Sequence, residues 1–213
     1  NRALLRDRSA YFGVGHAPLD VADRGMYGRD GMLPHFAERD SNAMEFRRGP
    51  DSEVSSIDTA LLLYGLMVNA QYFGGDVATD YLAARDGVDW SAWIDVATVG
   101  HIDQFRQSYD AGSDSLPNFW YDTYTHEVML LVIMAAMSDP TLNVLDLWRA
   151  WNRQTVSYGG RSTYATWNGD PFTVFYGLVW LDLQGMGADV DGVNWYDEAA
   201  LAYDMHLEFF ASE

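Results

Sequence analysis

Two kinds of helical segment alternate along the chain. Residues 54–73, 122–137 and 172–183 are apolar almost all the way round a helical projection, which predicts helices buried on most of their circumference. Residues 76–85, 142–154 and 196–211 repeat their apolar positions at helical spacing and predict amphipathic partners. Start signals fall where these segments begin. Ser55 or Ser56 can cap the first, Asp76 the second, and Pro171 fits the first helical position after Asp170. Asp89 is placed to cap a further helix through Trp90 and Ile94, and residues 101–109 read as another short one.

The remaining pattern is punctuation. Residues 2–12 read as the end of a helix stopped at Gly13 and Gly15, followed by a Gly-rich loop over 13–31. Met32–Phe36 and Ala43–Arg47 alternate over a short span and predict a small β-hairpin before the first long helix. Residues 111–117 form a loop, and Gly159-Gly160 lead into an extended stretch over 163–167. Apolar helices inside and amphipathic ones outside, with no strand–helix alternation, predict an all-α fold. The expected architecture is an (α/α) toroid, an incomplete or reduced (α/α)6 barrel over a single domain 1–213. It would lack part of its N-terminal helices, so a homo-oligomer or a partner chain is expected to cover the open toroid.

Composition narrows the function. No run of 18 apolar residues suggests a membrane span. A net charge of −18 argues against a nucleic-acid partner, because phosphate binding needs a basic surface. All 13 basic residues are Arg, which fits a salt-adapted surface or a GC-rich genome. The chain has no Cys, so there is neither a disulfide framework nor thiolate chemistry. Asn1 begins without a leader, which has been removed or never existed. Eight Trp and 13 Tyr are many for one domain; they either fill the core or serve as stacking platforms for sugars.

Acids at helix starts are the candidate chemistry: Glu53 and Asp58, then Asp122 and Glu127, then Asp170 and Asp182. Glycoside hydrolysis needs two carboxyl groups held in opposite protonation states. An inverting pair stands about 6.5–9.5 Å apart and a retaining pair about 5–5.5 Å. Glu127, with aromatic residues before it and a long apolar helix after it, reads either as the general acid or as a first-turn Glu favoured by the helix dipole. Asp182, inside Val179-Trp180-Leu181-Asp182-Leu183, reads as a catalytic carboxylate or an Arg partner. Asp58 reads as a hydrogen-bonding group for substrate. Asp189-Val190-Asp191-Gly192 looks like the start of a calcium loop but lacks the closing Glu. The five His lack zinc-ligand spacing, and His35 reads as a surface or hydrogen-bonded residue. No metal and no other cofactor is expected. Neither Gly-x-Ser-x-Gly nor a Gly-Lys-Ser/Thr loop is present.

The run Glu53-Val54-Ser55-Ser56-Ile57-Asp58-Thr59-Ala60-Leu61-Leu62, preceded by Gly31–Phe36, resembles glycoside hydrolase family 144, the endo-β-1,2-glucanase or glucoamylase-like family. Trp120-Tyr121-Asp122 through Glu127-Val128-Met129-Leu130 to Ser138-Asp139-Pro140 is similar to a second block of that family. Trp167–Phe172 through Trp180-Leu181-Asp182 resembles a third, and Asp191-Gly192-Val193-Asn194-Trp195 a fourth. The pairs His-Gln and Ser-His common before the third block's end are replaced by Phe172–Gly177. The resemblance implies Glu127 as general acid and Asp182 as base-side carboxylate, with Glu53 and Asp58 lining the subsites. Trp120, Tyr124, Trp167, Asp170 and Trp180 would complete the sugar-binding surface. It implies a periplasmic or extracellular enzyme that cleaves a β-glucan, most plausibly β-1,2-linked, by inversion. An exo-acting glucosidase and a non-catalytic glycan-binding or structural relative are the competing readings.

Overall fold

Ser55 sets where the first long helix starts. Its backbone is extended, and its Oγ accepts the Asp58 N–H at 3.3 Å while donating to the Asp58 carboxylate. The Ser55 hydroxyl thus satisfies an N–H that the helix end leaves open, and the Asp58 carboxylate holds that hydroxyl in place. The computed structural model describes residues 29–40, 45–48, 52–110 and 115–212. The helix end expected over 2–12, most of the 13–31 loop, His16 and the hairpin tip lie outside the described residues.

In chain order the elements begin with β1 (Leu33–Pro34), β2 (Ala37–Asp40), β3 (Glu45–Arg48) and β4 (Val54–Ser55). Two long helices follow, α1 (Ser56–Phe73) and α2 (Gly75–Asp86), and then β5 (Ser108–Tyr109). Next come α3 (His126–Ser138), α4 (Val144–Arg149) and the hairpin strands β6 (Thr155–Tyr158) and β7 (Arg161–Tyr164). The described chain closes with α5 (Pro171–Phe175), α6 (Leu183–Met186) and α7 (Trp195–Ser212). Single 3-10 turns occupy Ser91–Trp93 and Tyr176–Val179.

The expected all-α toroid is overturned. The molecule is mixed α/β, 50% helical and 16% strand, with seven α-helices among the described residues. Strand β4 pairs antiparallel with both β1 and β5, so the start of α1 is seated in a three-stranded sheet. The 101–109 helix does not form. Asp95 N–H bonds to Gln104 O, Arg106 N–H to Trp93 O and Gln107 N–H to Phe119 O, which spends the backbone between segments. Positive φ at Gly100 and Asp103 also breaks helical geometry there.

Three more predicted helices are shorter than expected. Residues 142–154 give only six helical residues, because the chain then turns into the β6–β7 hairpin. Gly159 and Gly160 both take positive φ, as a tight two-residue hairpin turn requires. Residues 171–184 split into α5, a 3-10 turn and α6, although Asp170 and Pro171 start α5 as read. The third-helix signal at Asp89 yields one 3-10 turn. The predicted hairpin forms slightly later than read, pairing Ala37–Asp40 with Glu45–Arg48.

Helix α1 packs against α2 on one side and α3 on the other. The shared core holds Leu63, Tyr64, Val128, Leu131, Trp90 and Phe105, all essentially inaccessible. A second aromatic cluster gathers Tyr124, Trp148, Trp151, Tyr164 and Trp195. The apolar surface of α1 is not wholly covered: Val68, Tyr72 and Phe73 at its far end are exposed. No helix among the described residues is long and apolar enough to cross a membrane.

Candidate functional site

Helices α1 and α3 pack together, and Asp58 and Glu127 in their first turns, with Glu53 just ahead of β4, act on one phenol, that of Tyr121. Thr125 caps α3, its Oγ1 accepting the Val128 N–H at 3.1 Å, and this places Glu127 in the first turn. The start of α1 is fixed from several directions. Leu33 N–H donates to Thr59 Oγ1 at 2.8 Å, Thr59 Oγ1 donates to Ser55 O, and Ser56 Oγ donates to Arg106 O. Asp58 and Glu53 therefore project from a rigid base.

His35 joins them. Its Nδ1 lies 2.7 Å from Glu53 Oε1 and its Nε2 3.6 Å from Asp58 Oδ2, with the ring stacked on Phe36 at 3.9 Å. The expectation of a hydrogen-bonded histidine matches this placement.

The electrostatics show which groups share the space. Burial raises the Glu127 carboxyl from its ordinary value, and the nearby Asp58 charge raises it further. The helix dipole favours an ionised Glu at this position. The net shift is nevertheless upward, so burial and like charge win. Tyr121 is raised well above an ordinary phenol, first by burial and then by Glu127, Asp58 and Glu53 together. It is the residue that sequence reasoning missed: it sits in an extended segment beside Trp120, where nothing in the sequence says which way its ring points.

The other predicted residues are placed elsewhere. Asp182 is exposed and caps α6, its Oδ1 accepting the Gly185 N–H at 2.9 Å. That cap accounts for an acid in the middle of an apolar run. Asp170 caps α5 through the Phe172 N–H at 2.8 Å. Trp120 is committed to packing: His101 stacks on it at 3.8 Å and the Arg106 guanidinium lies 4.5 Å from its centroid. Its Nε1 donates to Asp95. Tyr124 is buried in the aromatic cluster. Trp180 is half-buried, 5.8 Å from the Tyr64 ring. Trp167 is 70% exposed and is the most open of the predicted platforms.

The loop that resembled a calcium site is filled by protein donors. Asp189 accepts from Trp148 Nε1, Trp195 Nε1 and the amides of Asp191 and Val193, while Asp191 pairs with Arg149 and Arg153. Among the described residues no group of three or more His, Cys, Asp or Glu is arranged to hold a metal ion. A polar cavity of about 470 Å³ lies beside His101, Gln104, Asp122 and residues 149–153; of the candidate acids Asp122 lines it, whereas Glu53, Asp58, Glu127, Asp170 and Asp182 do not. Compared with known proteins, no protein-family model and no curated sequence matches the chain.

Proposed function

We propose that the chain is a glycoside hydrolase whose proton donor is Glu127. The observation that carries this reading is the raised carboxyl of Glu127 beside the carboxylates of Asp58 and Glu53. A carboxyl whose pKa is raised by burial, beside other carboxyl groups in a more open setting, is the kind of pair from which glycosidic cleavage draws its acid and its base. Glu127 would protonate the departing glycosidic oxygen, and a second carboxylate would activate water on the far face of the sugar.

Asp58 is the carboxylate whose charge reaches Glu127. Asp182 is the base-side candidate that the family resemblance supplies. The same resemblance suggests a β-1,2-linked glucan as substrate and a periplasmic or extracellular setting. Tyr121 would hydrogen-bond to sugar hydroxyls between the carboxylates.

The test is reducing-end release from β-1,2-, β-1,3- and α-glucans by the unmutated protein and by Glu127→Gln. The expected result is release from one β-glucan, reduced about 10²–10⁴-fold in the variant, with glucan binding retained. No release by the unmutated protein from any of these would refute the hydrolase reading and favour a glycan-binding relative.

A further inference from the structure

His126 opens α3 immediately before Glu127 and is fully buried. Its Nδ1 accepts the Gly177 N–H at 3.2 Å, so the neutral ring carries its proton on Nε2. That Nε2 has no hydrogen-bond partner among the described residues. The approach is close enough to require glycine: a Cβ on residue 177 would stand 2.9 Å from His126 Nδ1. Gly177 is held from its other side too. Its carbonyl accepts the N–H groups of Trp180 at 3.1 Å and Leu181 at 2.9 Å, the two residues that lead into Asp182.

We propose that His126 is a positioning residue whose neutral imidazole, through Gly177, seats the turn carrying Trp180 and Asp182 against the helix start that carries Glu127, and that protonating the ring releases this turn. The catalytic meaning of that seat rests on reading Glu127 as the proton donor; the joint itself does not.

A proton added at Nδ1 would face the Gly177 N–H, donor against donor, and the bond would be lost. The elements packed around His126 bring few charges. The titratable and charged groups on them are Asp58, Tyr64 and Tyr72 of α1, Tyr124 and Glu127 at the α3 start, Asp146 and Arg149 of α4, and Asp170 and Tyr176 around α5. Burial is the cause that moves His126, and it lowers the pKa to about 4. The ring is therefore neutral near pH 7, and the latch opens only in acid.

The test follows the Gly177 amide of the full chain by NMR hydrogen exchange as pH is lowered from 7. Protection of Gly177 should fall about tenfold as His126 titrates near pH 4, while Leu131 in the core of α3 stays protected. His126→Asn places an amide oxygen near the Nδ1 position and should keep Gly177 protected in acid. His126→Phe should lose that protection at every pH. The unmutated protein alone decides the matter if neither variant folds. Gly177 protection that ignores the His126 titration, or that disappears together with Leu131, overturns the proposal. A latch that titrates as expected in a protein that cleaves no glucan would sink the hydrolase reading and leave the joint standing.

Discussion

Asp95 and Glu127 are both carboxyl groups in sheltered positions, and the protein treats them in opposite ways. Asp95 accepts from the Ala97 and Thr98 amides and from Trp120 Nε1, and Arg106 stands 2.7 Å away. Burial alone would raise its pKa, but these bonds outweigh burial and leave it below the usual range. Asp189 is supported in the same manner by two indoles and two amides. Among the described residues Glu127 has no comparable set of donors, and its neighbours Asp58 and Tyr121 offer negative charge and a phenol. A fold that can neutralise buried acids this thoroughly in two places leaves one underprovided in a third. A sheltered acid without such donors and with its pKa raised is a candidate for chemistry rather than for structure.

The comparison predicts opposite stability effects. Asp95→Ala strips Arg106, Trp120 and two amides of a shared acceptor, and should cost about 3 kcal/mol in a denaturant titration. Glu127→Gln removes a carboxyl that burial disfavours in its charged form, so that variant should be as stable as the parent or more so near pH 7. Equal losses from the two substitutions would show that Glu127 is structural as well.

His126 supplies the next largest effect. Its pKa falls from 6.5 in the unfolded chain to about 4 in the folded one, so the unfolded state binds more protons between those values. Stability contributed by the neutral ring is complete above pH 6.5 and is lost as pH falls towards 4. The total is about 3 kcal/mol at 1.36 kcal/mol per unit. Urea titrations at several pH values should show this slope in the parent and not in His126→Asn.

Asp58→Asn tests the coupling inside the cluster. Removing the nearby negative charge stabilises ionised Glu127, so its carboxyl pKa should move down, read from its side-chain carbon resonance. Glu127 is raised in the folded state, so stability attributable to it is present below its unfolded pKa and falls as pH rises through the folded value. The variant should make that decline shallower. An unmoved Glu127 titration would separate Asp58 from the site and remove the pairing on which the mechanism stands.

What the sequence made legible was local. The Ser55-x-x-Asp58 start of α1, the cap and proline opening α5, and the amphipathic α7 are all decided by residues a few positions apart. The errors arose where long-range partners took over the backbone. Residues 101–109 carry a helix-like pattern, yet β5 completes a sheet with β4 and seals the base of α1. The 171–184 run breaks where Gly177 meets His126, a contact between residues 51 positions apart. The site was legible to the same extent. Glu53, Asp58 and Glu127 announce themselves at helix starts, whereas Tyr121 enters from a segment without periodicity. Trp120 and Tyr124 looked like sugar platforms because sequence cannot tell which aromatic faces are already occupied.

Asp182 distinguishes the two classes of acid most finely, and the expected change in stability is the smallest. As the cap of α6 it accepts one amide and is exposed, and Asn caps a helix about as well as Asp. Asp182→Asn should therefore change stability by less than about 0.5 kcal/mol and leave the Glu127 titration where it is. If Asp182 also serves as the base that activates water, the same substitution should lower glucan hydrolysis by about 10²-fold or more with little change in KM. If Asp58 is that base, Asp182→Asn should leave turnover within a few-fold of the parent and Asp58→Asn should carry the loss. Measuring both variants on the glucan that the parent cleaves assigns the second carboxylate, because a helix cap tolerates the amide and a general base does not.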